Sequence, residues 1–289
     1  MSRSVAGSYD NEGVSIFALV FTFYVFIKAC NTGSILWSVG SALSYFYMVA
    51  SWGGYSFIIN IIPIFVLFTL ITHKAEEKDK FSKIMTAYNI FYILGTLLAM
   101  QIPFVRFLAL TSSEHMASHG VFIIIQFYQL IQFAKKYIGQ ERLDTIFRFA
   151  IIGLSISLGA GFILLLLLGQ TTWSGRSMTL LDPTYAKKYI PIVASVSEHQ
   201  ATTWSSFFFD IHFPILFAPV GLFYIFKSRE HNITFIGIYA ILSVYFASVM
   251  IRLLLVFAPA ACICAAIGIS WLYEKCIESL NSVLESEKK

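Results

Sequence analysis

The sequence is poor in charge. Asp, Glu, Lys and Arg make up 12% of its 289 residues, whereas hydrophobic residues make up 57%. Soluble domains average about 25% charged residues. A soluble fold could not cover so much apolar surface with so few polar side chains, so this composition excludes a globular cytosolic protein and a disordered chain. We therefore predict an all-α polytopic membrane protein.

Other absences exclude further classes of protein. The four cysteines form no CxxC or Cys/His spacing, which argues against a metal cluster and a disulfide scaffold. Phosphate-binding loops, GxSxG, HExxH and the dinucleotide fingerprint are all absent from the sequence. The N-terminus is not expected to be a signal peptide, because acidic residues precede its first apolar run. The net charge of +4 indicates loop bias in a membrane protein rather than nucleic-acid binding.

Long apolar runs are abundant, and nine of them are candidate membrane spans, since a crossing needs about 20 largely apolar residues. The nine are roughly Val14–Ala29, Ile35–Ala50, Tyr55–Thr72, Ile84–Gln101, His119–Ala134, Phe149–Gly169, Ser206–Phe226, Ile233–Met250 and Leu253–Leu272. We predict a transmembrane core over residues 1–272, with a long loop over 170–205, and a polar tail over 273–289.

Basic residues divide unevenly between the two sides of this topology, 14 against 6. The fourteen are Lys28, Lys74, Lys78, Lys80, Lys83, Lys135, Lys136, Arg142, Arg148, Lys227, Arg229, Lys275, Lys288 and Lys289, and the six are Arg3, Arg106, Arg176, Lys187, Lys188 and Arg252. The positive-inside rule places the richer side, with the tail 273–289, in the cytosol and the loop 170–205 on the luminal or exterior side. The sequon at Asn232 then faces the cytosol, and we predict that it is not glycosylated.

Two groups of acidic residues lie on the predicted non-cytosolic face. Asp10 and Glu12 immediately precede the first span, where they could bind a divalent cation together or simply favour the helix N-terminus. Glu198, beside His199, ends the long loop, where it could be carried to a substrate or could belong to a solvated loop end. The residue types leave both alternatives open for each group.

The same predicted face carries an arginine and two polar breaks. Arg252 interrupts a long apolar stretch, where it could extend towards the interface or bind a lipid-borne phosphate. Trp52 lies in one break, and Glu114 with His115 in the other. These residues could be interfacial anchors and helix caps, or they could line a binding groove.

Five segments resemble the catalytic subunit of eukaryotic oligosaccharyltransferase. They are SRSVAGSYDNEG at 2–13, ALSYFYMVASWGGY at 42–55, SSEHMASHGVF at 112–122, LLDPTYAKKYIPIVASVSEHQATTW at 180–204 and VMIRLLLVFAPAACI at 249–263. The resemblance implies the membrane domain of a C-type glycosyltransferase in the endoplasmic reticulum, with its active face luminal. It also implies a hexosyltransferase that moves an oligosaccharide from dolichyl diphosphate to Asn in Asn-x-Ser/Thr of nascent proteins, together with other oligosaccharyltransferase subunits.

The resemblance also implies roles for individual residues. Asp10, Glu12 and Glu198 correspond to ligands of Mn²⁺ or Mg²⁺, and Glu198 and Asp10 also correspond to catalytic residues. Arg3 matches a position linked to activity. Arg252 matches the arginine that holds the lipid-linked diphosphate, and Trp52, Glu114, His115 and His199 are candidates for lining the donor groove.

The sequence also departs from the family. A further acidic motif upstream and a WWDYG motif downstream are absent, and Ala201 stands where the family usually has proline. We therefore expect this chain to be an incomplete portion of the enzyme that is inactive on its own. Two alternatives stay open: a non-catalytic membrane subunit or pseudoenzyme that binds lipid-linked diphosphate, and a transporter or scaffold whose acidic motifs are only caps.

Overall fold

The computed structural model describes Gly7 and residues 10–72, 78–137, 185–228 and 231–287. In these ranges all regular secondary structure is helical, as expected for the all-α membrane protein. The α-helices are α1 (Glu12–Thr32), α2 (Ile35–Ser51), α3 (Tyr55–Thr72), α4 (Lys78–Met100), α5 (Leu108–Thr111), α6 (Met116–Tyr137), α7 (Tyr185–Tyr189), α8 (Pro191–Ser195), α9 (Trp204–Ile211), α10 (Pro214–Lys227), α11 (His231–Val249) and α12 (Leu254–Glu287). Three 3₁₀ turns accompany them: η1 (Ser113–His115), η2 (Ser197–His199) and η3 (Ile251–Leu253).

Six helical segments are long and apolar enough to cross a membrane, and a bent pair of helices provides a seventh. The six contain α1, α3, α4, α6, α11 and α12, and the bent pair is α9 with α10. The second predicted span corresponds to α2, a shorter apolar helix of 17 residues. The predicted span 149–169 lies outside the described residues.

The bent pair corrects the prediction of one continuous span over Ser206–Phe226. Helix α9 ends at Ile211, α10 begins at Pro214, and the two axes differ by 96°. His212 has a φ of +56°, a left-handed conformation that a right-handed helix cannot contain. Pro214 has no backbone N–H to donate back into α9, but it suits the first position of a new helix.

The last helix is longer than the span predicted for it. Helix α12 has 34 residues and continues from Leu254 to Glu287, past the predicted end at Leu272. At 1.5 Å per residue it is about 50 Å long, which exceeds a hydrocarbon core of about 30 Å. Its second half is exposed and carries an ion pair between Lys275 and Glu278, so the described part of the segment 273–289 is helical.

The helices pack as two groups, which we call the N-terminal half (α1–α6) and the C-terminal half (α9–α12). In the N-terminal half, α1 and α2 form a hairpin and α2 also packs on α4. Gly33 turns the hairpin with a φ of +68°, and its N–H donates to the Ala29 carbonyl at 2.8 Å. In the C-terminal half, α12 packs against both α10 and α11.

Aromatic rings join the two halves along α11. Phe235 of α11 contacts Phe23 of α1 and Phe65 of α3, with ring centroids 5.2 Å apart in both pairs. Nearer the other end of α11, Phe246 contacts Phe57 of α3 at 5.1 Å. This packing places the first residue of α1 beside the turn between α11 and α12.

Candidate functional site

An ion pair across the two halves forms the centre of the candidate site. Arg252 in η3 donates from Nε to Oε1 of Glu12 at 2.6 Å, although the residues are 240 positions apart. The Glu12 side chain is fully buried, whereas 30% of the Arg252 side chain is exposed. Glu12 is the first residue of α1, where the helix dipole also favours a carboxylate. The pair therefore holds an arginine at the end of the helix bundle with part of its guanidinium accessible.

Hydrogen bonds fix the chain around Asp10. Asn11 donates its backbone N–H to Oδ1 of Asp10 at 2.7 Å and its side-chain Nδ2 to the carbonyl of Ser51 at 2.8 Å. The second bond ties the start of α1 to the end of α2. Asp10 itself is exposed, so its carboxylate lies at the surface directly before the buried Glu12.

The segment that carries Glu198 is attached next to Arg252. The backbone N–H of Ile251 donates to the carbonyl of Gln200 at 3.0 Å, and Thr202 N–H donates to the carbonyl of Ser248 at 3.1 Å. The Thr202 hydroxyl also donates to the Ala247 carbonyl. Turn η2, which contains Glu198, therefore packs against η3, which contains Arg252.

Glu198 and the neighbouring His199 are the polar side chains of interest in η2. Glu198 and His199 are both partly exposed. His199 Nδ1 is buried and finds no hydrogen-bond partner within the described ranges. The segment of Glu198 thus lies beside the turn of Arg252, while the predicted roles of both side chains stay predictions.

Trp52 lies on this face at the end of α2, directly after Ser51. Its indole covers Gly54, where an added Cβ would come within 2.1 Å of the ring. Its carbonyl accepts a hydrogen bond from the N–H of Tyr55 at 3.3 Å. A side chain at position 54 would therefore displace the indole from this position.

Glu114 and His115 lie in η1, close to the start of α3. The Glu114 carbonyl accepts a hydrogen bond from Asn60 Nδ2 at 3.0 Å, and the His115 ring lies 5.7 Å from that of Tyr55. His115 is buried, and its Nδ1 is hydrogen-bonded to Ser112 Oγ at 2.7 Å. These residues border the Trp52 region through Tyr55.

The predicted metal ligands are only partly assembled by the described residues. Arg3 lies outside them. No three His, Cys, Asp or Glu side chains in these ranges are placed to hold one metal ion. Asp10 and Glu12 provide oxygen donors two positions apart, which suit Mg²⁺ or Mn²⁺ by type, while Glu12 is already paired with Arg252. The described residues thus form at most part of a metal site.

The arrangement has a defined chemical capacity. Arg252 donates from Nε to Glu12, and its guanidinium carries further N–H groups of the kind that binds phosphate oxygens. The exposed carboxylate of Asp10 and the partly exposed Glu198 can accept protons or N–H groups. An arginine and these two acidic residues therefore lie towards one end of the bundle.

Sequence reasoning missed the pairing of Glu12 with Arg252. The only available signal was that opposite charges precede or interrupt apolar spans on the same predicted face. It also missed His119, whose Nδ1 is hydrogen-bonded to Tyr92 OH at 2.7 Å and whose ring stacks beside that of His115 at 6.3 Å. Two histidines spaced i and i+4 near a helix start were the signal for that pair.

The sequence is similar to curated oligosaccharyltransferase subunits. It is 47% identical, over 100% of this chain and 39% of the relative, to "Dolichyl-diphosphooligosaccharide--protein glycosyltransferase subunit STT3B" of Oryza sativa. It is 48% identical, over 95% of this chain and 36% of the relative, to subunit stt-3 of Caenorhabditis elegans. The chain thus spans less than two fifths of the length of these relatives.

The fold is similar to that of a solved archaeal enzyme. The oligosaccharyltransferase AglB from Archaeoglobus fulgidus, solved with an inhibitory peptide and a dolichol-phosphate, superimposes with a TM-score of 0.68 at 16% identity. The match covers 99% of this chain and 35% of that one. The expected membrane-domain architecture is thereby confirmed as a fold.

The family model described as "Oligosaccharyl transferase STT3, N-terminal" matches residues 1–265. This match extends over the ion pair, the Glu198 segment and both predicted acidic motifs. The chain therefore belongs to the oligosaccharyl transferase STT3 family.

Proposed function

We propose that this chain forms the membrane part of an enzyme that transfers an oligosaccharide from dolichyl diphosphate to the side-chain amide of Asn in Asn-x-Ser/Thr. The observation that carries the proposal is the Glu12–Arg252 pair, with the Glu198 segment hydrogen-bonded to the residue before Arg252. The nearness of an arginine, a residue type that binds phosphate oxygens, to the segment that carries a carboxylate supports the proposal. In the proposed reaction, the arginine stabilises the departing diphosphate and the carboxylate orients the attacking amide nitrogen.

Arg252 acts on the leaving group in this proposal. The bond between the sugar and the diphosphate breaks, so negative charge accumulates on the departing diphosphate oxygen. The terminal guanidinium nitrogens of Arg252 donate to that oxygen and stabilise the charge. Glu12 is a positioning residue: its buried carboxylate holds Nε and so fixes the plane of the guanidinium.

Glu198 and Asp10 act on the acceptor. An amide nitrogen is a poor nucleophile because its lone pair is conjugated with the carbonyl. Carboxylates that accept its N–H hydrogens orient the nitrogen and receive the proton released when the carbon–nitrogen bond forms. Both side chains are accessible from outside the bundle.

We also propose a divalent cation, Mn²⁺ or Mg²⁺, held by oxygens of Asp10, Glu12 and Glu198. The hard carboxylate donors support this choice, and the cation would supply further charge stabilisation for the diphosphate. Because the described residues do not gather three such ligands, the complete site needs groups from outside them. Arg3 is proposed to contribute to activity from one such region.

Trp52, Glu114, His115 and His199 are proposed to line the donor groove. Trp52 and His115 lie on either side of Tyr55, at the same end of the bundle as Arg252. The proposed enzyme is a multi-pass protein of the endoplasmic reticulum with this face in the lumen. Its proposed partners are the lipid-linked donor, the acceptor polypeptide and other oligosaccharyltransferase subunits.

The proposal is tested in a chimaera in which residues 1–289 replace the matching segment of the rice STT3B subunit. We expect the chimaera to glycosylate a fluorescent sequon peptide. Glu198→Gln and Arg252→Ala should each abolish transfer, because one removes the proton acceptor and the other the charge that stabilises the leaving group. Expression and detergent elution of every variant are measured in parallel.

Glu278→Gln is the matched control, since this carboxylate pairs with Lys275 on an exposed part of α12 and lies outside the proposed site. It should transfer at the rate of the parent chimaera. Full transfer by the Glu198→Gln variant would overturn the catalytic assignment. A parent chimaera that binds the lipid-linked donor but transfers nothing would favour the non-catalytic subunit instead.

A further inference from the structure

A cleft lies at the opposite end of the bundle from the candidate site. It forms where α1 and α3 end and where α4 and α11 begin, and its volume is about 160 Å³. Helix α1 has 21 residues, so its two ends are separated by about 30 Å. The cleft is therefore remote from Glu12 and does not depend on the proposed reaction.

The rim of the cleft is positively charged and polar. Lys80 and Lys83 come from the first two turns of α4, Asn31 from the last turn of α1, and Asn232 is the second residue of α11. The N-termini of α4 and α11 both lie here, and helix N-termini carry partial positive charge. None of the described residues that line the cleft is acidic.

Lys83 lies close to Gly33 at this rim. Gly33 adopts a φ of +68° in the α1–α2 turn, and an added Cβ would lie 2.7 Å from Cγ of Lys83. The aliphatic stem of the lysine therefore lies against this turn, and Lys83 lines the cleft beside it.

The floor of the cleft is apolar. Phe65 and Ile84 are almost fully buried, and Ile27 is partly buried beside them. Each belongs to a segment that is long and apolar enough to span a membrane. A ligand that fits must therefore be amphiphilic: anionic where it meets the lysines and apolar where it meets the spans.

We propose that this cleft binds the phosphate headgroup of an anionic membrane lipid, with the start of an acyl chain on the apolar floor. Basic pockets between membrane helices are a known way to hold such headgroups. The apolar floor favours a lipid over free phosphate, because free phosphate gains nothing from Phe65 and Ile84. The lysine-rich side is also the predicted cytosolic side, where anionic lipids are concentrated.

Binding is measured on the purified 289-residue chain by native mass spectrometry, as phosphatidic acid or phosphatidylcholine is titrated in. We expect one phosphatidic acid molecule to bind in preference to phosphatidylcholine. Lys80→Gln with Lys83→Gln should weaken phosphatidic acid binding by about 20- to 30-fold, since each lysine near an anionic lipid contributes about fivefold, or ~1 kcal/mol.

Two further variants separate the cleft from general surface charge. Lys227→Gln removes an exposed lysine from the same end of the bundle without touching the cleft, and it should leave binding unchanged. Asn31→Trp keeps every lysine but places an indole at the rim, and it should also weaken binding. Circular dichroism and elution volume establish that each variant is folded.

Three outcomes would overturn the proposal. The first is an equal loss in Lys227→Gln and in the double lysine variant, which would indicate nonspecific surface attraction. The second is equal binding of phosphatidylcholine. The third is displacement of the lipid by inorganic phosphate at similar concentration, which would assign the cleft to free phosphate. None of these measurements depends on glycosyl transfer. A failure of the lipid proposal can therefore be distinguished from a failure of the proposed enzymatic function.

Discussion

The N-terminal and C-terminal halves are packed by different means. In the N-terminal half, the ring of Phe91 meets those of Phe26 and Tyr45, with centroids 5.6 and 5.4 Å away. In the C-terminal half, the backbones of α10 and α12 are in direct contact. An added Cβ at Gly221 would lie 1.8 Å from the carbonyl oxygen of Cys264. Large side chains can adjust to a change, whereas two touching backbones cannot.

The candidate site lies between the halves and draws one charged residue from each. Glu12 belongs to the aromatic half and Arg252 to the glycine-packed half. The 2.6 Å contact between them therefore depends on both kinds of packing. Four substitutions test this comparison, from the largest expected effect to the smallest.

Gly221→Val should have the largest effect, because the new side chain would collide with the backbone of α12 and force α10 away. We expect loss of the cooperative thermal transition measured by intrinsic fluorescence in detergent. Gly120→Val in α6 is the matched control, since an added Cβ there meets no heavy atom within 4 Å. Equal behaviour of the two variants would refute close backbone packing in the C-terminal half.

Phe91→Ala should destabilise the N-terminal half but leave it folded. Deleting a fully buried phenyl ring costs roughly 3–5 kcal/mol, because apolar contacts are lost and a cavity remains. The midpoint of thermal unfolding should fall, with the transition still cooperative. Phe209→Ala, at a ring that is 76% exposed, should change the midpoint little. A loss of folding as complete as in Gly221→Val would erase the contrast between the halves.

Glu12→Gln tests the junction between the halves. The substitution keeps the shape of the side chain but removes the charge that neutralises Arg252, and breaking a buried pair in this way costs about 3 kcal/mol. The partial exposure of Arg252 makes this an upper value. A double-mutant cycle with Arg252→Gln measures the coupling free energy between the two side chains.

The exposed pair between Lys275 and Glu278 is the control for that cycle. Its coupling should be below about 1 kcal/mol, because both side chains are solvated. A coupling no larger for Glu12 with Arg252 than for this exposed pair would show that the junction does not depend on the buried charges.

Tyr239→Phe should have the smallest effect. The Tyr239 hydroxyl donates to the Val256 carbonyl at 2.6 Å, while its ring packs against Phe23 of the other half at 5.0 Å. Phenylalanine keeps the ring contact and removes only the hydrogen bond, which contributes about 1 kcal/mol. A fall in the unfolding midpoint as large as that of Phe91→Ala would contradict this small effect and would mean that the hydrogen bond between α11 and α12 is a major contribution to stability.

Much of the fold was predictable because the length of each apolar run can be read directly from the sequence. Seven of the nine predicted spans correspond to single helices; most ends differ by a few residues, but α12 continues 15 residues beyond its predicted end at Leu272. The break at His212 was not predictable from hydropathy, because every window across it is apolar. A residue with positive φ, followed two positions later by proline, interrupts hydrogen bonding without changing composition.

The sequence singles out the charged residues of the candidate site but not the contacts between them. Asp10, Glu12, Glu198 and Arg252 are recognisable because charges beside apolar spans are rare. That Arg252 bonds to Glu12 through Nε, and that Gln200 accepts from the residue beside that arginine, depends on how residues far apart in the chain are brought together. Whether the predicted metal binds there stays a prediction.

The sequence by itself determined that this protein is helical and spans a membrane, because so little charge and so much apolar surface are stable only in a bilayer. It also determined where its polar groups interrupt the spans. The tertiary structure alone decided which of those groups meet. It did so through aromatic packing in one half and glycine contacts in the other, which together bring residues 12 and 252 within hydrogen-bonding distance.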